Sequence, residues 1–154
     1  MITLRFVTGS SLSSKLIRLQ AGVSMPFTPS HVEALTPDGR DCVGAHIDLG
    51  VAARPVGYDV DTLLTLPDGS KSERLVHLPC SDEQESKFYG FVHSKIGTAY
   101  DHKAIFGFVD PGHHHDVDHI ICSAFMVWAL RTCGYFPMPL TVPFHHISPR
   151  DLET

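Results

Sequence analysis

Twice the chain sets Pro-Asp-Gly between two strand-like runs, at Pro37-Asp38-Gly39 and at Pro67-Asp68-Gly69. Proline presets φ for the first half of a turn, aspartate bonds its own backbone, and glycine accepts positive φ, so each tripeptide reverses the chain. Runs joined this tightly pair antiparallel. The stretch "HVEAL", "TPDGR", "DCVGAHIDLGV" therefore reads as one β-hairpin, and "DTLLTLPDGSKSERLVHLP" as a second strand pair. The opening "ITLRFVTG" alternates weakly and reads as a further short strand.

Helical signals bracket and follow these strands. "SSLSSKLIRLQAG" has serine caps and a closing Gly22 and predicts a short helix. "SDEQESKFYGFVHSKIG" combines a serine cap, an acidic first turn and Gly97 as a stop. "IICSAFMVWALRTCG" carries the clearest pattern and stops at Gly134; Phe125, Met126, Trp128 and Leu130 on it are core candidates. A shorter helical piece is expected at "AYDHKAIFGF", a polar loop at "VDPGHHHDVD", and a proline-rich wrap at "FPMPLTVPFHHISPRDL". The sum is an α+β protein: a small antiparallel sheet packed by helices, with 1–154 as one domain.

Composition narrows the function classes. A net charge of -5 gives a nucleic-acid partner no electrostatic support. No apolar run approaches the ~20 residues of a membrane span. The first twenty residues lack a sustained apolar core and cleavage site of the secretory type, so a cytoplasmic chain is expected. Of the four cysteines, Cys42, Cys80, Cys122 and Cys133, no two form a CxxC pair, and all are expected to stay reduced.

Position separates one of these thiols from the others. Cys122 falls in the first turn of its predicted helix, where backbone N–H groups and the positive end of the macrodipole favour a thiolate. Cys133 falls in the last turn, where the dipole opposes ionisation. A thiolate nucleophile needs an imidazole and a group to orient it. "HVEAL" supplies His31 with Glu33 two residues on, so the two share one strand face. Read alone, that pair is better taken as an exposed polar face of an edge strand. His46, on the partner strand, is a second candidate for the orienting role.

The ordered set "SHVEAL … RPVGYD … IGTAYDHKAIFGF … ICSAF … ISPRDL" resembles the circularly permuted NlpC-type (papain-like) cysteine hydrolases of the YiiX/YebB-like group. In that group the histidine strand comes first and the cysteine helix last, as His31 and Cys122 do here. The resemblance implies a permuted papain-like fold, Cys122 as nucleophile, His31 as general base and Glu33 as the acidic third residue. It also implies that Tyr100 and Asp101 line the substrate cleft, which His46 would share. A small peptide or amide is the implied substrate, with cell-wall peptides reached through phage lysis or injection as one setting. No cofactor is implied.

Other chemistries fit parts of the same chain. A thiol acyltransferase or lipid esterase of the lecithin:retinol acyltransferase-like type would use the same dyad, with a hydroxyl or amine replacing water. A catalytically silent binding module would keep the fold alone. His113, His114, His115, Asp116 and His119 could bind metal, but they lack the HExxH spacing, and no metal is expected to serve catalysis.

Overall fold

The computed structural model describes residues 1–10, 14, 28–99, 122–136, 149 and 152. Among them five strands form one wholly antiparallel sheet: β1 (Ile2–Val7), β2 (His31–Leu35), β3 (Asp41–His46), β4 (Gly50–Pro55) and β5 (Glu73–Leu78), in the order β4-β3-β2-β1-β5. Two helices accompany it, α1 (Asp82–Ser94) and α2 (Cys122–Thr132). The molecule is α+β with a small antiparallel sheet.

The first Pro-Asp-Gly turn behaves as its residues require. Asp38 accepts from the Thr36 hydroxyl at 2.7 Å and from the Arg40 amide at 3.2 Å, while Gly39 takes φ +69°. β2 and β3 leave it as paired strands, with Ala34 opposite Val43. The second turn forms too, with Gly69 at φ +84° and Asp68 accepting from the Ser70 amide at 2.9 Å. It closes only one isolated bridge, Thr65 to Lys71. The strand after it, β5, pairs with β1 instead, Ile2 facing Leu78 and Val7 facing Glu73. The expected second strand pair is thus replaced by a long-range pairing that buries β1 between two neighbours.

"DCVGAHIDLGV" differs as well. It breaks after His46 into two paired strands, the turn closing with Gly50 at φ +70° opposite His46. A Cβ on Gly50 would lie 2.2 Å from the Thr98 carbonyl oxygen, which accepts from the Val51 amide at 2.7 Å. The segment after α1 is held there.

β1 is buried along its whole length. Alternation places Ile2, Leu4 and Phe6 on one face and Thr3, Arg5 and Val7 on the other. The first set joins Val32, Ala34, Val43 and Ala45 in a core completed by Phe88 and Val92 of α1 and by Phe125, Met126 and Leu130 of α2. Full burial of each large apolar side chain contributes ~1.5–3 kcal/mol. Trp128 lies at the core's margin, its ring 5.0 Å from that of Phe91 and capped by the Lys95 ammonium at 4.5 Å.

Local signals explain both helix ends that matter. Ser81 caps α1, accepting from the Gln84 amide at 3.2 Å while Gln84 reaches back to the Ser81 amide at 3.1 Å. α2 ends at Gly134, φ +73°, where the Tyr135 amide bonds the Leu130 carbonyl at 2.9 Å and the Gly134 amide that of Arg131 at 3.0 Å. Among the described residues no helix is long and apolar enough to cross a membrane. The histidine loop and most of the expected helix over 10–22, of the piece at "AYDHKAIFGF" and of the proline-rich tail lie outside the described residues.

Candidate active site

The site assembles where the first residue of α2 meets the first residue of β2. Cys122 is buried there, against the Val32 backbone and the His31 side chain. Burial disfavours its thiolate, but the His31 imidazole and the backbone N–H groups of Val32 and Ser123 outweigh burial, and the thiol stands below its ordinary pKa. Burial likewise opposes charge on His31, and the Cys122 thiolate and Glu33 carboxylate overcome it, raising the imidazole's pKa. Each partner therefore favours the other's ionised form, the condition for a thiolate–imidazolium pair.

Glu33 lies behind the histidine. Its Oε2 is 3.5 Å from His31 Nε2, which leaves Nδ1 as the nitrogen free for the thiol. The strand is interior, flanked by β1 and β3, so the exposed edge that would have made His31 and Glu33 a solvated pair does not exist. Glu33 is fully buried. Burial alone would neutralise it, but His31 and then Arg5 hold its pKa down to about 2.

Arg5 is the anchor of this carboxylate, and it was not among the residues singled out from sequence. Directly opposite Glu33 in the β1–β2 register, it bonds Glu33 Oε1, takes Asp59 with two nitrogens at 2.8 and 3.0 Å, and reaches Glu73 at 3.1 Å. One guanidinium thus serves three carboxylates from a fully buried position. The signal was present: a lone arginine inside the apolar run "ITLRFV" is costly unless paired. Its partners were not readable, because they lie 28, 54 and 68 residues away.

Tyr58, within "RPVGYD", is a further member of the site that no sequence motif assigns a role. Its hydroxyl donates to Glu33 Oε2 at 3.1 Å and lies 3.4 Å from His46 Nδ1. Burial, reinforced by Glu33, raises its pKa and keeps it protonated. His46 stacks beside His31 with ring centroids 5.2 Å apart, and its Nε2 is 3.9 Å from Glu33 Oε2. Burial and then the His31 charge lower its pKa to about 4, so it is neutral at physiological pH. Gly44 completes the cradle: a Cβ there would lie 2.8 Å from Glu33 Cβ, so no other residue fits without moving the carboxylate.

The remaining thiols have no such company. Cys133, at the other end of α2, donates to the Leu130 carbonyl at 3.1 Å, and burial pushes its pKa up. Burial, with Glu33 adding to it, also pushes up Cys42. All four cysteines are free. Of the sequence-selected residues, Cys122, His31, Glu33 and His46 converge; Tyr100, Asp101 and the 113–119 histidine run fall outside the described residues. No protein-family model matches this chain, and no curated protein matches it.

Proposed function

We propose that this chain is a cysteine hydrolase with a permuted papain-like arrangement that cleaves an amide bond of a small peptide or amide substrate. The observation that carries the reading is the meeting of Cys122, His31 and Glu33, with the thiol at the start of α2 against the imidazole and a buried carboxylate behind it. In the proposed reaction the Cys122 thiolate attacks the carbonyl carbon. The oxyanion forms where the N–H groups at the start of α2 can receive it. The carbon–nitrogen bond breaks as His31 gives its Nδ1 proton to the leaving amine, leaving a thioester on Cys122. Neutral His31 then takes a proton from water as that water attacks the thioester. The acid departs, and the thiolate–imidazolium pair is restored. Glu33 stays ionised and holds His31 in position; it is a positioning residue.

Alkylation of the four cysteines against pH, followed peptide by peptide in chelator-treated protein, tests this. Cys122 is expected to react first below neutrality, ahead of the less buried Cys80, and His31→Ala is expected to move its profile upward. If Cys122 titrates like Cys133, the relay is silent and the reading fails.

A further inference from the structure

We propose that His31, Glu33 and His46 form a binding site for one divalent transition-metal ion of the zinc class. His31 Nε2, His46 Nε2 and a Glu33 oxygen lie within 4.8 Å of one another. Neither imidazole nitrogen has a hydrogen-bond partner among the described residues, although His46 is only 7% exposed. Their Nε2 atoms stand 3.5 and 3.9 Å from Glu33 Oε2: the His31 contact is the long ion pair of the relay, and His46 Nε2 lies beyond hydrogen-bond reach, so an ion among the three donors would replace one long contact and supply a missing one.

Proton positions sharpen this. Tyr58 has a single hydroxyl proton and gives it to Glu33. Toward His46 Nδ1 the phenol can then only accept, which places the His46 proton on Nδ1 and a lone pair on Nε2. That lone pair points at a carboxylate, an arrangement a cation relieves. Two imidazoles and a carboxylate are a familiar zinc donor set, which leaves a fourth position open. The outer contacts match as well: Arg5 and Tyr58 fix both Glu33 oxygens, and Tyr58 fixes His46. Charge favours a cation over a bridging water. The Arg5 guanidinium is shared by the carboxylates of Glu33, Asp59 and Glu73, while Arg54 stacks 4.0 Å over the Tyr58 ring.

An ion on Nε2 occupies the side of His31 that meets Glu33 and parts the imidazole from the carboxylate that positions it, so the ion is inhibitory; this consequence, though not the site itself, rests on the hydrolase reading.

Titration of the full chain and its Cys122→Ser variant with Co²⁺, then Zn²⁺ against a chromophoric chelator, reads the site directly. The expected result is one ion per chain, a Co²⁺ spectrum without a thiolate charge-transfer band, and affinity reduced by more than about 100-fold in His46→Ala. His46→Gln, with its fold checked by circular dichroism, serves if the alanine variant unfolds. Replacing His113, His114 and His115 together by alanine is expected to leave binding intact. Loss of binding in that triple variant with retention in His46→Ala assigns the ion to the histidine loop and overturns the site. Absence of stoichiometric binding overturns it too, and leaves a water at that point. Acceleration of amide hydrolysis by Zn²⁺ overturns the inhibitory role. Because Cys122→Ser removes the nucleophile and keeps all three ligands, the metal site and the hydrolase fail in separable measurements.

Discussion

The two ends of α2 each carry a buried cysteine, and the two thiols are driven in opposite directions. Cys122 and Cys133 are equally inaccessible, each 4% exposed. Burial disfavours both thiolates, so burial cannot be what distinguishes them. At the first residue, N–H groups and a paired imidazole reverse the effect. At the far end the sulfur donates to a carbonyl, and the Tyr135 N–H beside it is too weak an aid to offset burial. The lesson is that a helix terminus biases a thiol, while a neighbouring strand decides whether the bias becomes chemistry.

The bluntest way to break this contrast is to remove each sulfur in turn. Cys122→Ser is expected to abolish amide hydrolysis, a loss of about 10⁴-fold or more as for nucleophiles acting within a relay. Cys133→Ser is expected to leave turnover unchanged, and steady-state rates on one amide substrate compare them. A Cys133→Ser loss of similar size would erase the distinction.

Next in size is the support behind His31. Arg5→Met leaves Glu33 buried without its cation and is expected to cost ~3–5 kcal/mol by denaturant unfolding. The pairing also has a pH signature. The Glu33 pKa is about 2 in the folded chain, below the ~4.3 of an unfolded glutamate, so its contribution is present above ~4.3 and is lost as pH falls through about 2. The wild-type midpoint should drop across that window, and the drop should be smaller in Arg5→Met. The double variant Arg5→Met/Glu33→Gln is expected to regain part of the stability, since Asp59 still lacks its cation, without regaining the low-pH reactivity of Cys122.

A finer probe moves Glu33 without removing it. Gly44→Ala forces a methyl to within 2.8 Å of Glu33 Cβ and displaces the carboxylate. A shift approaching 1 Å costs on the order of 10²-fold in rate. The Cys122 alkylation profile should move toward higher pH in the same variant, a change that simple loss of stability would not cause. The smallest expected effect lies at the other end of α2. Gly134→Ala places a Cβ at φ +73° and is expected to cost ~1 kcal/mol by thermal unfolding, with the Cys122 profile unmoved.

Features encoded within a few residues were legible in the chain itself. The β2–β3 hairpin follows from Thr36-Pro37-Asp38-Gly39, α1 from its serine cap and acidic first turn, and the end of α2 from Gly134. The break between β3 and β4 was missed, because Gly50 takes its positive φ in a sequence that otherwise continues as a strand. The second Pro-Asp-Gly turn shows the limit of local rules. The turn forms as its residues demand, yet which strand β5 joins is set by β1, at the far end of the sequence, in a register that Thr8 and Ser72 continue.

The same division runs through the site. By itself the sequence determined that Cys122 lies in the first turn of a helix, that His31 and Glu33 share a strand face, and that His46 lies on the neighbouring strand, since each depends on local period and turn chemistry. Only the tertiary structure decided that β2 is an interior strand, that Arg5 holds Glu33 ionised from directly across β1, that Tyr58 bridges Glu33 and His46, and that Gly44 leaves room for the carboxylate. Those contacts join residues far apart in the chain, and a buried charge is tolerated only where all of its partners arrive together.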